Sequence, residues 1–162
     1  MTNFRIKPAT EQDLPLILSF IRQLAEYERL PHEAVMTEDI LRESLFGSRP
    51  FAEVLLGYDG DKAVVFAVFF HNFSTFLGRP GLYLEDLFVL PEMRGKGFGR
   101  AMLVELARIA RKRHCGRFEW SVLDWNESAI GFYKKLGAVP MEEWTIFRVR
   151  GDALERLANE GL

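Results

Sequence analysis

The chain has 162 residues, 48% hydrophobic and 27% charged, with 21 basic and 23 acidic side chains and a net charge of −2; it can build its own core and is too apolar for disorder. One cysteine and three histidines exclude an internal disulfide framework and leave little for a structural zinc site. No apolar run reaches the length of a membrane span and the first residues lack a secretion signal, so one cytoplasmic domain, residues 1–162, is expected, with no metal and no membrane partner.

Phe4-Arg5-Ile6-Lys7 alternates as a short strand and stops at Pro8. Thr10-Glu11-Gln12-Asp13 signals a helix start. Leu14, Ile17, Leu18, Ile21, Leu24 and Ala25 follow at helical spacing. A second helix is expected from about Thr37 to Phe46. Phe51 to Tyr58 and Ala63 to Phe73 read as strands joined by the hairpin signal Asp59-Gly60-Asp61. Leu82 to Leu90 is a further strand, closed by Pro91. Arg94-Gly95-Lys96-Gly97-Phe98-Gly99 is a glycine-rich turn opening a helix with Met102, Leu103, Leu106, Ile109 and Ala110 on one side. Phe118 to Leu123 is a strand. Asn126 caps a helix that Gly137 ends. Thr145 to Arg150 reads as a last strand, and Asp152 to Ala158 as a terminal helix. This order gives an α+β (mixed α/β) fold with a partly antiparallel sheet.

Charge is unevenly spread. Glu11 to Glu53 holds nine acids and four bases, and Pro91 to Arg117 two acids and eight bases. A local basic stretch in a mildly acidic chain points to a small anion and not to nucleic acid, which needs a broad positive face. The glycine-rich turn supplies a place for it. Unpaired N–H groups and the dipole of a helix start attract anions, glycines allow close approach, and Arg94, Lys96 and Arg100 add charge. The nucleoside-triphosphate loop is excluded because Gly97, not Ser or Thr, follows Lys96. The dinucleotide fingerprint fits poorly because Arg100 stands where Gly or Ala belongs.

Arg94 to Gly99 has the Arg/Gln-x-x-Gly-x-Gly/Ala form of the GNAT N-acetyltransferases. The resemblance runs from Arg5-Ile6-Lys7-Pro8-Ala9 through Tyr83-Leu84-Glu85-Asp86-Leu87-Phe88-Val89 to Leu123-Asp124-Trp125-Asn126 and Phe132-Tyr133-Lys134-Lys135-Leu136-Gly137-Ala138. Within that superfamily the chain most resembles the diamine (spermidine/spermine) and thialysine acetyltransferases. The resemblance implies a twisted, mostly antiparallel sheet of six to seven strands flanked by helices. It implies acetyl-CoA as co-substrate, its pyrophosphate at Arg94, Gly95, Lys96, Gly97, Phe98, Gly99 and Arg100, and its pantetheine arm beside the main chain of Leu87, Phe88 and Val89. It also implies a contact from Asn126 and a homodimer.

Acetyl transfer to an amine needs a proton acceptor, a donor to the thioester oxygen and a proton for the departing thiolate. Glu85 and Asp86 are two adjacent acids in an otherwise apolar strand. Neighbours on a regular strand face opposite ways, so only a bulge would let both serve one site. The resemblance gives Glu85 the amine proton, directly or through water, and Asp86 a substrate contact. It gives Tyr133, beginning near pKa 10 against about 8.5 for a thiol, the return of the proton. Tyr27 and Glu28 match a pair that walls the acceptor pocket. Cys115 has no activating partner that the sequence identifies. Leu77 stands near the place of a family tryptophan, and the Asp59-Gly60-Asp61 connection is short. These departures fit a thialysine-like amino acid or a short diamine as well as a polyamine. The rival readings are a protein lysine or N-terminal acetyltransferase and a non-catalytic acyl-CoA-binding regulator.

Overall fold

The computed structural model describes residues 3–161; Met1, Thr2 and Leu162, the ends of the expected 1–162 domain, lie outside them. The chain forms two compact units that divide between Leu123 and Asp124.

The first unit is a sheet with helices. Its strands are β1 (Phe4–Pro8), β2 (Glu53–Asp59), β3 (Lys62–Ser74), β4 (Arg79–Val89) and β5 (Arg117–Trp120), and its helices are α1 (Leu14–Tyr27), α2 (Glu38–Phe46) and α3 (Phe98–Lys112). The strands lie in the order β1-β2-β3-β4-β5. The first four pair antiparallel. β5 pairs parallel to β4, because α3 carries the chain back across the sheet. The expected hairpin turn forms: Asp59 faces Lys62, and Gly60 takes a φ of 60°.

Each side of the sheet has its own apolar layer. On one, Ile17, Phe20 and Leu24 of α1 pack on Val54, Leu56, Tyr58, Phe66 and Phe88. The rings of Phe20 and Phe66 stack 5.0 Å apart. On the other, Phe98 opens α3 with its ring 4.8 Å from that of Phe4. Gly57 makes this possible, since a Cβ there would lie 2.9 Å from the Phe4 ring and 2.5 Å from Val65. Asp13 closes the 3-10 turn Glu11–Asp13 that leads into α1, accepting from the N–H of Thr10 at 2.8 Å and from its hydroxyl at 3.0 Å.

The second unit holds α4 (Glu127–Lys135) and α5 (Asp152–Ala158). The strand expected at Thr145 to Arg150 does not form, so the described residues contain five strands where six to seven were expected. Ile146 and Phe147 favour extended backbone, yet the side chain of Phe147 is 91% exposed. Strand preference depends on a neighbouring strand and a face to pack on, and this segment has no ladder partner among the described residues.

Candidate active site

The site begins where β4 becomes irregular. Along β3 the partners step from Val68 to Phe69, and along β4 they step from Asp86 to Leu84, so Glu85 is an extra residue in the ladder. A bulge of this kind is the one arrangement in which both acids could serve one site. The parallel ladder to β5 ends in the same place, with Leu84 against Trp120. From Glu85 to Val89 the β5-facing edge of β4 pairs with no strand among the described residues. Its backbone groups are open to another partner there.

The bulge sets the acids to work on one another. Phe88 faces the α1 layer, so Asp86, two residues back, faces the same side. Burial first, and then the negative charges of Glu85 and Glu28, push the Asp86 carboxyl up to about 7. Burial also raises Glu28, which caps the C-terminal end of α1. Glu85 is exposed. Three carboxylates from two elements therefore share one negative field, which a cationic group would relieve.

The glycine-rich turn follows the open edge. A single turn of 3-10 helix, Pro91–Met93, reverses the chain, with Arg94 N–H bonded to the Pro91 carbonyl. Gly95 and Gly97 take φ of 75° and 89°, left-handed values that cost other residues about 1 kcal/mol. The first backbone bond of α3 runs from Ala101 N–H to the Gly97 carbonyl, leaving the N–H groups of Phe98, Gly99 and Arg100 without acceptors inside the helix. The arrangement fits a phosphate-bearing ligand. The Phe98 and Phe88 side chains are buried, so either residue can offer such a ligand only its main chain. Val89 lies against the first turn of α3, since a Cβ on Gly99 would sit 3.4 Å from it.

The three cations of the turn do not converge. Lys96 is exposed, with Nζ 3.5 Å from Met93 Sδ. Arg100 lies along α3, where with Phe4, Ile6 and Val104 it lines a shallow groove. Arg94 turns to the α1 side. Its Nε donates to the Val89 carbonyl at 3.1 Å, and its guanidinium carbon sits 4.2 Å over the Tyr27 ring and 5.3 Å over that of Phe88. The sequence had pointed to Arg94 only as a phosphate cation. Nothing in the local pattern signals the stack, because Tyr27 is on another element.

Thus the first unit brings together Tyr27, Glu28, Glu85, Asp86, Leu87, Phe88, Val89 and Arg94. Asn126 and Tyr133 belong to the second unit. Asn126 caps α4 by accepting from Ala129 N–H at 3.3 Å, and Tyr133 is half-buried on the same helix, its ring 5.5 Å from that of Phe132. Among the described residues no cluster of His, Cys, Asp and Glu is arranged to hold a metal ion.

The acetyltransferase (GNAT) family model matches residues 18–138. The chain belongs to the GNAT acetyltransferase family. Among its GNAT-like relatives is the thialysine N-epsilon-acetyltransferase of Mus musculus, 37% identical over 98% of this chain and 99% of that one. The L-ornithine N5-acetyltransferase of Arabidopsis thaliana is 35% identical over 94% and 87%. Among solved structures, an integron cassette protein from the mobile metagenome of V. cholerae superposes with a TM-score of 0.82 at 28% identity, covering 98% of this chain and 99% of that one.

Proposed function

We propose that the protein moves the acetyl group of acetyl-CoA to the primary amine of a small cationic acceptor, by direct attack with both substrates bound. The observation that carries this reading is the meeting of Glu28, Glu85 and Asp86 where β4 parts from β5. The shared negative field attracts an ammonium, and a second cationic centre on the acceptor answers the remaining charge. Relatives named for thialysine and L-ornithine favour an amino acid with a terminal side-chain amine; diamines and polyamines share the needed charge.

Each residue has one task in this reading. Glu85, exposed beside the half-buried Asp86, takes the proton of the acceptor ammonium, directly or through water. Asp86 and Glu28 hold the acceptor's positive charge, and Tyr27 walls the pocket. A backbone N–H of Leu87, Phe88 or Val89 donates to the thioester oxygen as it gains charge. The turn from Arg94 to Arg100 holds the pyrophosphate, with Asn126 as a further coenzyme contact. Tyr133 returns a proton to the thiolate. The protein acts in the cytoplasm as a homodimer, and exposed apolar side chains such as Phe51, Phe73 and Phe76 offer surface for a second copy.

The test is thiol release from acetyl-CoA against thialysine, L-ornithine, lysine, spermidine, putrescine, an aminoglycoside and a lysine peptide, with Glu85→Gln and Tyr133→Phe alongside. Turnover of one small cation, lost in both variants, supports the reading. Preference for the peptide would favour a protein acetyltransferase, and tight coenzyme binding without turnover a regulator. Retained turnover in both variants would remove the two residue roles.

A further inference from the structure

Arg94 stands at the first position of the glycine-rich turn, yet two of its contacts lead away from the turn. Its Nε is committed to the Val89 carbonyl at 3.1 Å, which fixes the plane of the guanidinium. The guanidinium carbon lies 4.2 Å from the Tyr27 ring centroid and 5.3 Å from that of Phe88. The two rings differ in how firmly they are held. Phe88 is 3% exposed and belongs to the core, whereas Tyr27 is 38% exposed and is the last residue of α1. The two rings also meet each other, their centroids 6.2 Å apart and their planes 56° apart, so Arg94 closes a three-membered cluster whose buried member is on β4 and whose exposed member is the end of α1.

The end of α1 needs holding. Its terminal bonds run from Leu30 N–H to the Ala25 carbonyl and from Arg29 N–H to the Glu26 carbonyl, a pattern that puts Arg29 in the left-handed region at φ 63°. Glycine is usual there, and an arginine is less favourable by about 1 kcal/mol. Local preference thus opposes the geometry that sets Glu28, next to Tyr27, within electrostatic reach of Asp86.

We infer that Arg94 is a positioning residue that ties the acceptor wall to the coenzyme turn, so that ordering one orders the other. The inference rests on the acetyltransferase reading above. A ligand that settles the turn from Gly95 to Arg100 settles Arg94, and through the stack it settles Tyr27 and Glu28. Coupling of this kind is reciprocal: the acceptor strengthens coenzyme binding by the same factor as the coenzyme strengthens acceptor binding.

Two measurements test it. In hydrogen exchange, coenzyme A should protect the backbone of residues 27–30 as well as 95–100. Arg94→Ala should lose the first protection and keep most of the second, and Tyr27→Phe, which keeps a ring, should retain both. In steady-state kinetics with the best amine, Arg94→Ala and Arg94→Lys should each raise the amine KM about tenfold with kcat changed less than about threefold, whereas Lys96→Ala should raise the acetyl-CoA KM. Tyr27→Ala added to Arg94→Ala should cost little more than either alone. Protection of 95–100 without 27–30 in the native protein, or an Arg94→Ala effect on the acetyl-CoA KM alone, would overturn the inference and leave the acetyltransferase reading intact. Absence of coenzyme protection anywhere would overturn both.

Discussion

The two halves of β4 have the same backbone and opposite surroundings. From Gly81 to Leu84 the strand is flanked by β3 and β5, and Gly81, Leu82 and Leu84 are buried. From Glu85 to Val89 it keeps β3 and loses β5. The paired half is committed to stability. The open half has unspent hydrogen-bonding groups and two acids, one of them half-buried beside other negative charges. Where the ladder stops, the main chain of β4 has groups left to offer a ligand, as the start of α3 does.

Substitutions can sharpen that contrast. The largest effect on turnover belongs to the open half: Glu85→Gln should lower kcat/KM by about 10²-fold or more. Tyr83→Phe in the paired half, which removes only the 2.8 Å contact with Ser121 Oγ, should stay within about twofold in the same thiol-release assay. For stability the order inverts. Leu84→Ala should cost about 3 kcal/mol in denaturant unfolding, and Leu87→Ala, half-buried in the open half, about half as much.

The pH dependence of the open half follows from Asp86. Its folded pKa of about 7 lies above its ordinary 3.8, so the unfolded chain releases the proton first as pH rises. The favourable contribution of the protonated side chain is complete below about 4 and is lost as pH climbs to 7. Asp86→Asn should therefore raise the melting temperature at pH 8 by roughly 5 °C and leave it unchanged at pH 4. A cationic acceptor needs the ionised form, so kcat/KM for the amine should rise through pH 7 in the native protein and flatten in the variant. The smallest effect lies in the second unit: Asn126→Ala should cost about 1 kcal/mol through the lost α4 cap, seen as faster amide exchange in its first turn.

Much of this was legible in the residues. The Asp59-Gly60-Asp61 turn, the cap at Asn126 and the glycine turn are local signals, and local chemistry decides them. The adjacent acids Glu85 and Asp86 marked the place but left the bulge undecided, since a regular strand would have turned one of them away. Other features are decided by distant residues. Where β5 leaves β4 depends on the whole crossover through α3, and the contact of Arg94 with Tyr27 depends on how α1 lies across the sheet. The failed strand at Thr145 to Arg150 is the converse case, local preference with no partner to complete it.

The tight hairpin at Asp59–Lys62 also bears on how the molecule assembles. β1 to β4 pair as successive neighbours, and a two-residue loop between β2 and β3 makes that contact the fastest to close. β5 must wait for the entire α3 crossover before it can meet β4. During refolding, pulse-labelled amides of β2 and β3 should be protected before those of β5, so the gap between β4 and β5 forms on a hairpin already built.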